Sequence, residues 1–385
     1  MNKILCSIII CTLWVIGIRK NQPLIRTAKL EVRRPAKTCY QELIISDQKI
    51  ISRVTGRSLP DEHFPNPNKT HERFDVVGTD LGICWAINTN ETGLFFGDTF
   101  GGDWKPENRN TGKSNWRSNV LAFSKDNNLE DGLTFDQMLT DKNGHAEQII
   151  FSKHDVSGSG SFTAIPTAAI RVRGIDYVHY MDVRKWETPG KWKTNFSALY
   201  KSTNSGRDWK KCTDVVFDST SNFSQVAYAK RAGFVYMLGT GAGRFGAAYL
   251  ARFAEKNILN QNQYEYLNHK HEWVKGRESN AAPIFGPSVG ELSLIFNSTY
   301  KRWIVTYLNE QKHQIIYRNA PTITGEWSEE KVLVDLKEYP GAYGGFIHPK
   351  SEKGSNLYFL MSQWNPYNVF LMKGGISIKK NPENN

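Results

Sequence analysis

One strand-and-turn unit occurs five times along this chain, and that recurrence limits the folds open to it more than any other feature. Its most regular element is an apolar segment: GLFFGDTFG (93–101), YVHYMDVRK (177–185), FVYMLGTGA (234–242), RWIVTYLNE (302–310) and LYFLMSQWN (357–365). Ahead of each, across a short polar or glycine-containing turn, stands another candidate strand: VVGTDLGICWA (76–86), IPTAAIRVR (165–173), SQVAYAKRA (224–232), GELSLIFNS (290–298) and YGGFIHPKS (343–351). A third follows: SNVLAFSKD (118–126), NFSALYKST (195–203), AAYLARFAE (247–255), QIIYRNAP (314–321) and NVFLMKGG (368–375). A four-stranded sheet with its turns takes about 40–50 residues, and radial repetition of such sheets buries both faces of each. The reading is all-β: a five-bladed β-propeller over residues 70–378, with Asp80, Thr167, Val226, Glu291 and Phe346 on or beside innermost strands. A pair of β-sandwiches is the alternative, and it accounts less well for one unbroken series of five units. The last blade is expected to draw its fourth strand from the N-terminal side, around residues 40–46, within a basic segment at 21–69.

A second repeat marks turns after the third strands. The run STNSGRDW (202–209) is similar to the aspartate box of sialidase-type propellers, with Asn204 where aspartate is usual, and ITGEW (323–327) is a weaker echo. Such turns use a capping side chain, a glycine with unusual φ and a tryptophan that packs between sheets. They bear on architecture rather than chemistry.

Charge and cysteine content remove several function classes. The net charge of +11 looks suited to an anionic partner, yet residues 1–37 alone carry +7, leaving +4 for the rest. No nucleic-acid partner is inferred from charge so concentrated at one end. The same end begins with Lys3 and an apolar stretch over residues 4–18, short for a membrane span and fitting for a secretory leader, with Gly17 at a candidate cleavage point. The expectation is a leader over residues 1–20 and an exported location, with membrane association through an uncleaved N-terminus as the alternative. Once Cys6 and Cys11 leave with such a leader, Cys39, Cys84 and Cys212 provide neither a disulfide framework nor a zinc motif.

Candidate chemistry lies where polar residues fall on strands lining a central channel, since burial there is costly unless they are used. Asp80 sits in GTDLG and Asp98 in FFGDTFG, on the two strands of the first hairpin. With the turn near residues 88–91, Asp80 falls opposite Asp98 or a near neighbour, where Cα atoms of paired residues are about 4.5–5.5 Å apart. Two such carboxyls repel, one pKa rises, and the pair can supply an acid together with a base or nucleophile, as in a glycosidase. A turn-capping aspartate or a pair holding a structural cation is the alternative, and no other cofactor is expected. Asp182 matches Asp98 in the second unit, Glu291 opens the inner strand of the fourth, and His348 lies on that of the fifth, so all three are candidate funnel residues. Trp104, Trp116, Trp186 and Trp364 follow second strands and are candidate stacking platforms for sugars, with packing between blades as the alternative for each.

The segments GTDLGICW, GLFFGDTFGGDW, WRSNVLAFSKD and IPTAAIRVRGIDYVHYMDV, with GELSLIFN, RWIVTYL and PYNVFLM downstream, resemble domain-of-unknown-function family 4185 over about residues 70–375. Part of that family resembles glycoside hydrolase family 183, endo-acting D-arabinanases that cut the arabinan of arabinogalactan. The resemblance implies a five-bladed propeller with Asp80 and Asp98 as catalytic carboxylates. The expectation is therefore an exported, endo-acting glycoside hydrolase with a polysaccharide substrate. A non-catalytic carbohydrate-binding propeller is the runner-up and a protein-interaction propeller the third reading.

Overall fold

A computed structural model describes residues 41–108 and 114–380. Its strands form five separate antiparallel sheets, one for each repeat unit. Blade one orders Leu81–Asn88, Glu91–Phe96, Val120–Ser124 and Gln137–Met138 from the inside out, and blade two orders Thr163–Val172, Ile175–Trp186, Trp192–Ser202 and Lys210–Asp218. Blade four orders Leu292–Asn297, Arg302–Asn309, Gln314–Ala320 and Lys331–Asp335. Blade three departs from four strands. Inside Gln225–Arg231, Phe234–Thr240 and Gly246–Ala254 it is regular, but its outer side is shared among the short strands Glu265–Leu267, Trp273–Lys275 and Pro283–Val289.

Blade five closes the ring. Ala342–Ile347, Asn356–Gln363 and Asn368–Lys380 are followed outward by Gln41–Arg53, whose register runs from Gln41 opposite Lys380 to Arg53 opposite Phe370. The closing strand thus comes from the N-terminal side, and it is longer than the expected 40–46. The innermost strands of blades one to five touch their neighbours in cyclic order, fifth against first, which defines a five-bladed β-propeller.

Burial follows position in the blade. Inner and second strands are apolar on both faces, as Glu91–Phe96 and Ala342–Ile347 show, because each blade is covered by the next. Outer strands such as Lys210–Asp218 mix buried and exposed residues. Trp85 carries this packing from blade one into blade two, stacking on Phe95, meeting Trp209 edge-on and donating from Nε1 to Asp176 at 3.0 Å. Trp209 ends the STNSGRDW turn, where Gly206 has φ of 80° and the Gly206 amide donates to Ser202 Oγ. In the weaker echo, Trp327 Nε1 donates to the Ile323 carbonyl at 3.3 Å.

The candidate leader lies outside the described residues. Among the described residues no helix is long and apolar enough to cross a membrane, and Cys84 and Cys212 are free thiols.

Candidate active-site funnel

Every innermost strand begins at the same end of the ring, and those beginnings surround a cavity of about 1040 Å³. Its wall includes Asp80 and Leu81 of blade one, Ile165 and Thr167 of blade two, Gln225 of blade three, Glu291 of blade four and Tyr343 of blade five.

The GTDLG segment is shaped to place a carboxyl there. Leu81 and Gly82 have φ of 70° and 97°, and the ladder slips by one residue between Leu81–Phe96 and Ile83–Phe95. A leucine in the left-handed region costs about 1–2 kcal/mol, so the surroundings must hold it. Ser362 Oγ does so, accepting from the Leu81 amide at 2.7 Å. Across the ladder the Gly97 amide donates to the Asp80 carbonyl at 3.1 Å, and a Cβ on Gly97 would collide with Asp80 Oδ1. The glycine before Asp98 is thus the space that Asp80 occupies. Gly78 likewise lies flat against the ring of Trp104.

Asp80 is partly accessible, and its Oδ2 accepts from the Tyr343 hydroxyl at 2.8 Å. Burial in the funnel wall raises its pKa most, the adjacent Asp98 charge raises it further, and hydrogen bonding from Tyr343 and Tyr367 pulls it back, leaving it at about 7. Asp98 is buried and its Oδ1 accepts from Trp116 Nε1 at 2.8 Å and from Thr163 Oγ1 at 2.5 Å. The funnel therefore holds two neighbouring carboxyls, one with its titration raised into the neutral range.

Glu291 faces them from blade four. Its Oε1 accepts from Arg244 Nε at 3.1 Å and from a terminal Arg244 nitrogen at 2.7 Å, while its Oε2 has no hydrogen-bond partner among the described residues. Arg244 also donates to Glu310 at 3.0 Å. Arg244, Tyr343 and Glu310 escaped the sequence reading. Position could have found Tyr343, which sits at the start of its inner strand as Asp80 and Glu291 do, whereas Arg244 lies in a glycine-rich turn that carries no such marker.

Two expected funnel residues lie elsewhere. Asp182 does not line the cavity: it sits inside the long strand Ile175–Trp186, not past a strand end like Asp98, and its carboxylate accepts from Ser161 Oγ at 2.8 Å and Asn195 Nδ2 at 2.7 Å. His348 follows the far end of Ala342–Ile347, away from the funnel, where its Nδ1 accepts from the Lys350 amide. Burial lowers its pKa to about 3, so this ring is neutral and caps the turn. Of the tryptophans, Trp116, Trp186 and Trp364 line the funnel, the last two partly exposed at 39% and 58%. Trp104 is buried instead, stacked on Phe100 with 4.9 Å between ring centroids.

Fold and site together define a five-bladed β-propeller whose funnel is lined by carboxylates and aromatic side chains. Within that class, the chain belongs to the family described as domain of unknown function DUF4185, whose profile matches residues 65–373. It is 30% identical over 313 residues to notoamide biosynthesis cluster protein J of Aspergillus sp. (strain MF297-2), covering 76% of this chain and 81% of that protein. Protein J' of Aspergillus versicolor is 28% identical over 332 residues, covering 81% and 88%. The fold is shared with a crystal structure of a protein from Bacteroides ovatus ATCC 8483, at a TM-score of 0.55 and 12% identity over 78% of this chain and 86% of that one.

Proposed function

We propose that this protein is an exported glycoside hydrolase that cleaves a polysaccharide, with endo-D-arabinanase-like action on the arabinan of arabinogalactan as its sharpest form. The observation that carries the reading is the carboxyl pair Asp80 and Asp98 in the wall of one open funnel, where burial and the Asp98 charge raise the Asp80 pKa to about 7. Asp80 holds the proton to be given to a leaving sugar oxygen, and Asp98, steadied by Trp116 and Thr163, serves as the base or nucleophile. Trp186 and Trp364 offer flat faces for sugar rings at the mouth.

A panel of cell-wall and plant polysaccharides, arabinogalactan among them, with product sizing, tests the substrate. Asp80→Asn and Asp98→Asn should each lower turnover by about 10²–10⁴-fold without unfolding the protein. Near-normal cleavage by either folded variant would remove that residue from the mechanism. Binding without cleavage by the parent protein would favour a carbohydrate-binding propeller. The relation to fungal biosynthesis-cluster proteins supports a second reading, the same carboxyls acting on a small molecule, and turnover of low-molecular-weight glycosides but no polymer would select it. Export is tested by the mass of the secreted chain, expected to lack roughly its first 17–20 residues.

A further inference from the structure

A continuous polar chain crosses the funnel through four blades. Asp80 of blade one accepts from the Tyr343 hydroxyl of blade five at 2.8 Å. The Arg244 guanidinium, from the turn between the second and third strands of blade three, lies over the Tyr343 ring at 5.2 Å from its centroid. Arg244 is in turn held by Glu291 at 2.7 Å and Glu310 at 3.0 Å, both of blade four, and the Ser288 hydroxyl donates to its backbone carbonyl. Three carboxylate bonds on one mostly buried guanidinium leave it little freedom to move, and its cation sits on the aromatic face with which it interacts favourably. Tyr343 is buried and keeps its proton, since burial and the neighbouring Asp80 charge push its pKa far up, so towards Asp80 it acts only as a donor.

We propose that Tyr343 is a positioning residue for Asp80 and that Arg244 acts on Asp80 through it, so that four blades jointly set the orientation of that carboxyl and its hold on a proton. The catalytic consequence rests on the hydrolase reading above; the positioning itself does not. The groups facing Asp80 are Asp98 from its own blade, Glu291 from blade four, and Tyr343 and Tyr367 from blade five. A donor to a carboxylate favours the ionised form, so weakening the donor raises the pH at which the proton leaves and strengthening it lowers that pH. Replacing Arg244 by a neutral side chain uncovers the charges of Glu291 and Glu310 and pushes in the same upward direction.

The test is a carbon-13 NMR titration of the aspartate carboxyls in the full protein, with the Asp80 signal assigned by its absence from Asp80→Asn. Tyr343→Phe should raise the Asp80 midpoint by about half to one pH unit, and Arg244→Gln should raise it also, with Arg244→Lys closer to the parent. Replacing Tyr343 alone by 3-fluorotyrosine, a more acidic phenol of nearly the same size, should lower the midpoint and needs no void in the core. A midpoint unmoved in folded Tyr343→Phe, or moved upward by the fluorinated side chain, overturns the proposal. The titration decides the matter whether or not any glycan is cleaved. On a substrate that is cleaved, Tyr343→Phe should shift the pH profile of kcat with KM nearly unchanged, and a profile that stays in place counts against the relay.

Discussion

Asp80 couples the proposed chemistry to stability. Its pKa of about 7 in the folded protein stands above the ordinary aspartate value of 3.8, so between those pH values the folded chain holds a proton that the unfolded chain has released. Stability from this group is complete below pH ~4 and is lost as pH rises towards ~7, by roughly 4 kcal/mol as an upper figure. Asp80→Asn carries no such titration. The variant should gain on the parent protein steadily as pH rises from 4 to 7, which thermal melts across that window would show, and parallel pH dependence of the two would refute the assignment. A stabilised but inactive variant is the pattern expected where a site retains a strained charge for function. Asp80, Asp98 and Glu291 were legible as funnel residues because polar groups stand out on apolar strands. His348 was misplaced because a motif's position in a hairpin does not say which end of the inner strand meets the funnel. Asp182 is at the funnel end of its blade, opposite Ala164, but its carboxylate is bonded to Ser161 and Asn195 and does not line the cavity.

The closing strand Gln41–Arg53 shows how an element can be half-read. A missing fourth strand in the last unit pointed to the N-terminal side, but the charged and mixed pattern of residues 41–53 hides its pairing. Arg53 explains why a charge is tolerated there. Its side chain is buried, bonded to Glu62 and, at 2.6 Å, to Asn368, with its guanidinium 4.7 Å from the centroid of the Phe370 ring. Removing one partner of a buried ion pair costs about 3–5 kcal/mol, because the other charge is left uncompensated. Arg53→Ala should therefore lower stability by about that amount in denaturant unfolding, whereas Arg53→Ala combined with Glu62→Ala should recover part of it. A cost below about 1 kcal/mol would mean that the pair behaves like an exposed surface bridge. The irregular outer side of blade three was equally hidden, since two of its strands are three residues long and the third, Pro283–Val289, begins with a proline and contains another.

For the molecule as a whole, five recurrences were enough to count blades, because a radial array is the arrangement that covers both faces of five successive hairpin sheets. What the count could not supply was the axis: Arg244, Tyr343 and Glu310 come together only when blades three, four and five are set side by side. The circular array also has a consequence in time. Strand Gln41–Arg53 is made well before its partner Asn368–Lys380, and more than 300 residues separate the two halves of one ladder. Blade five must wait for its final strand, and the early strand waits with its edge unpaired, a state prone to mispairing. Nascent chains arrested before residue 368 should be cut readily within residues 41–53 by added protease, and released full-length chains should resist. Closure of the ring is thus a late event, possible only once residues 368–380 have been made to meet a strand that precedes them by more than 300 residues.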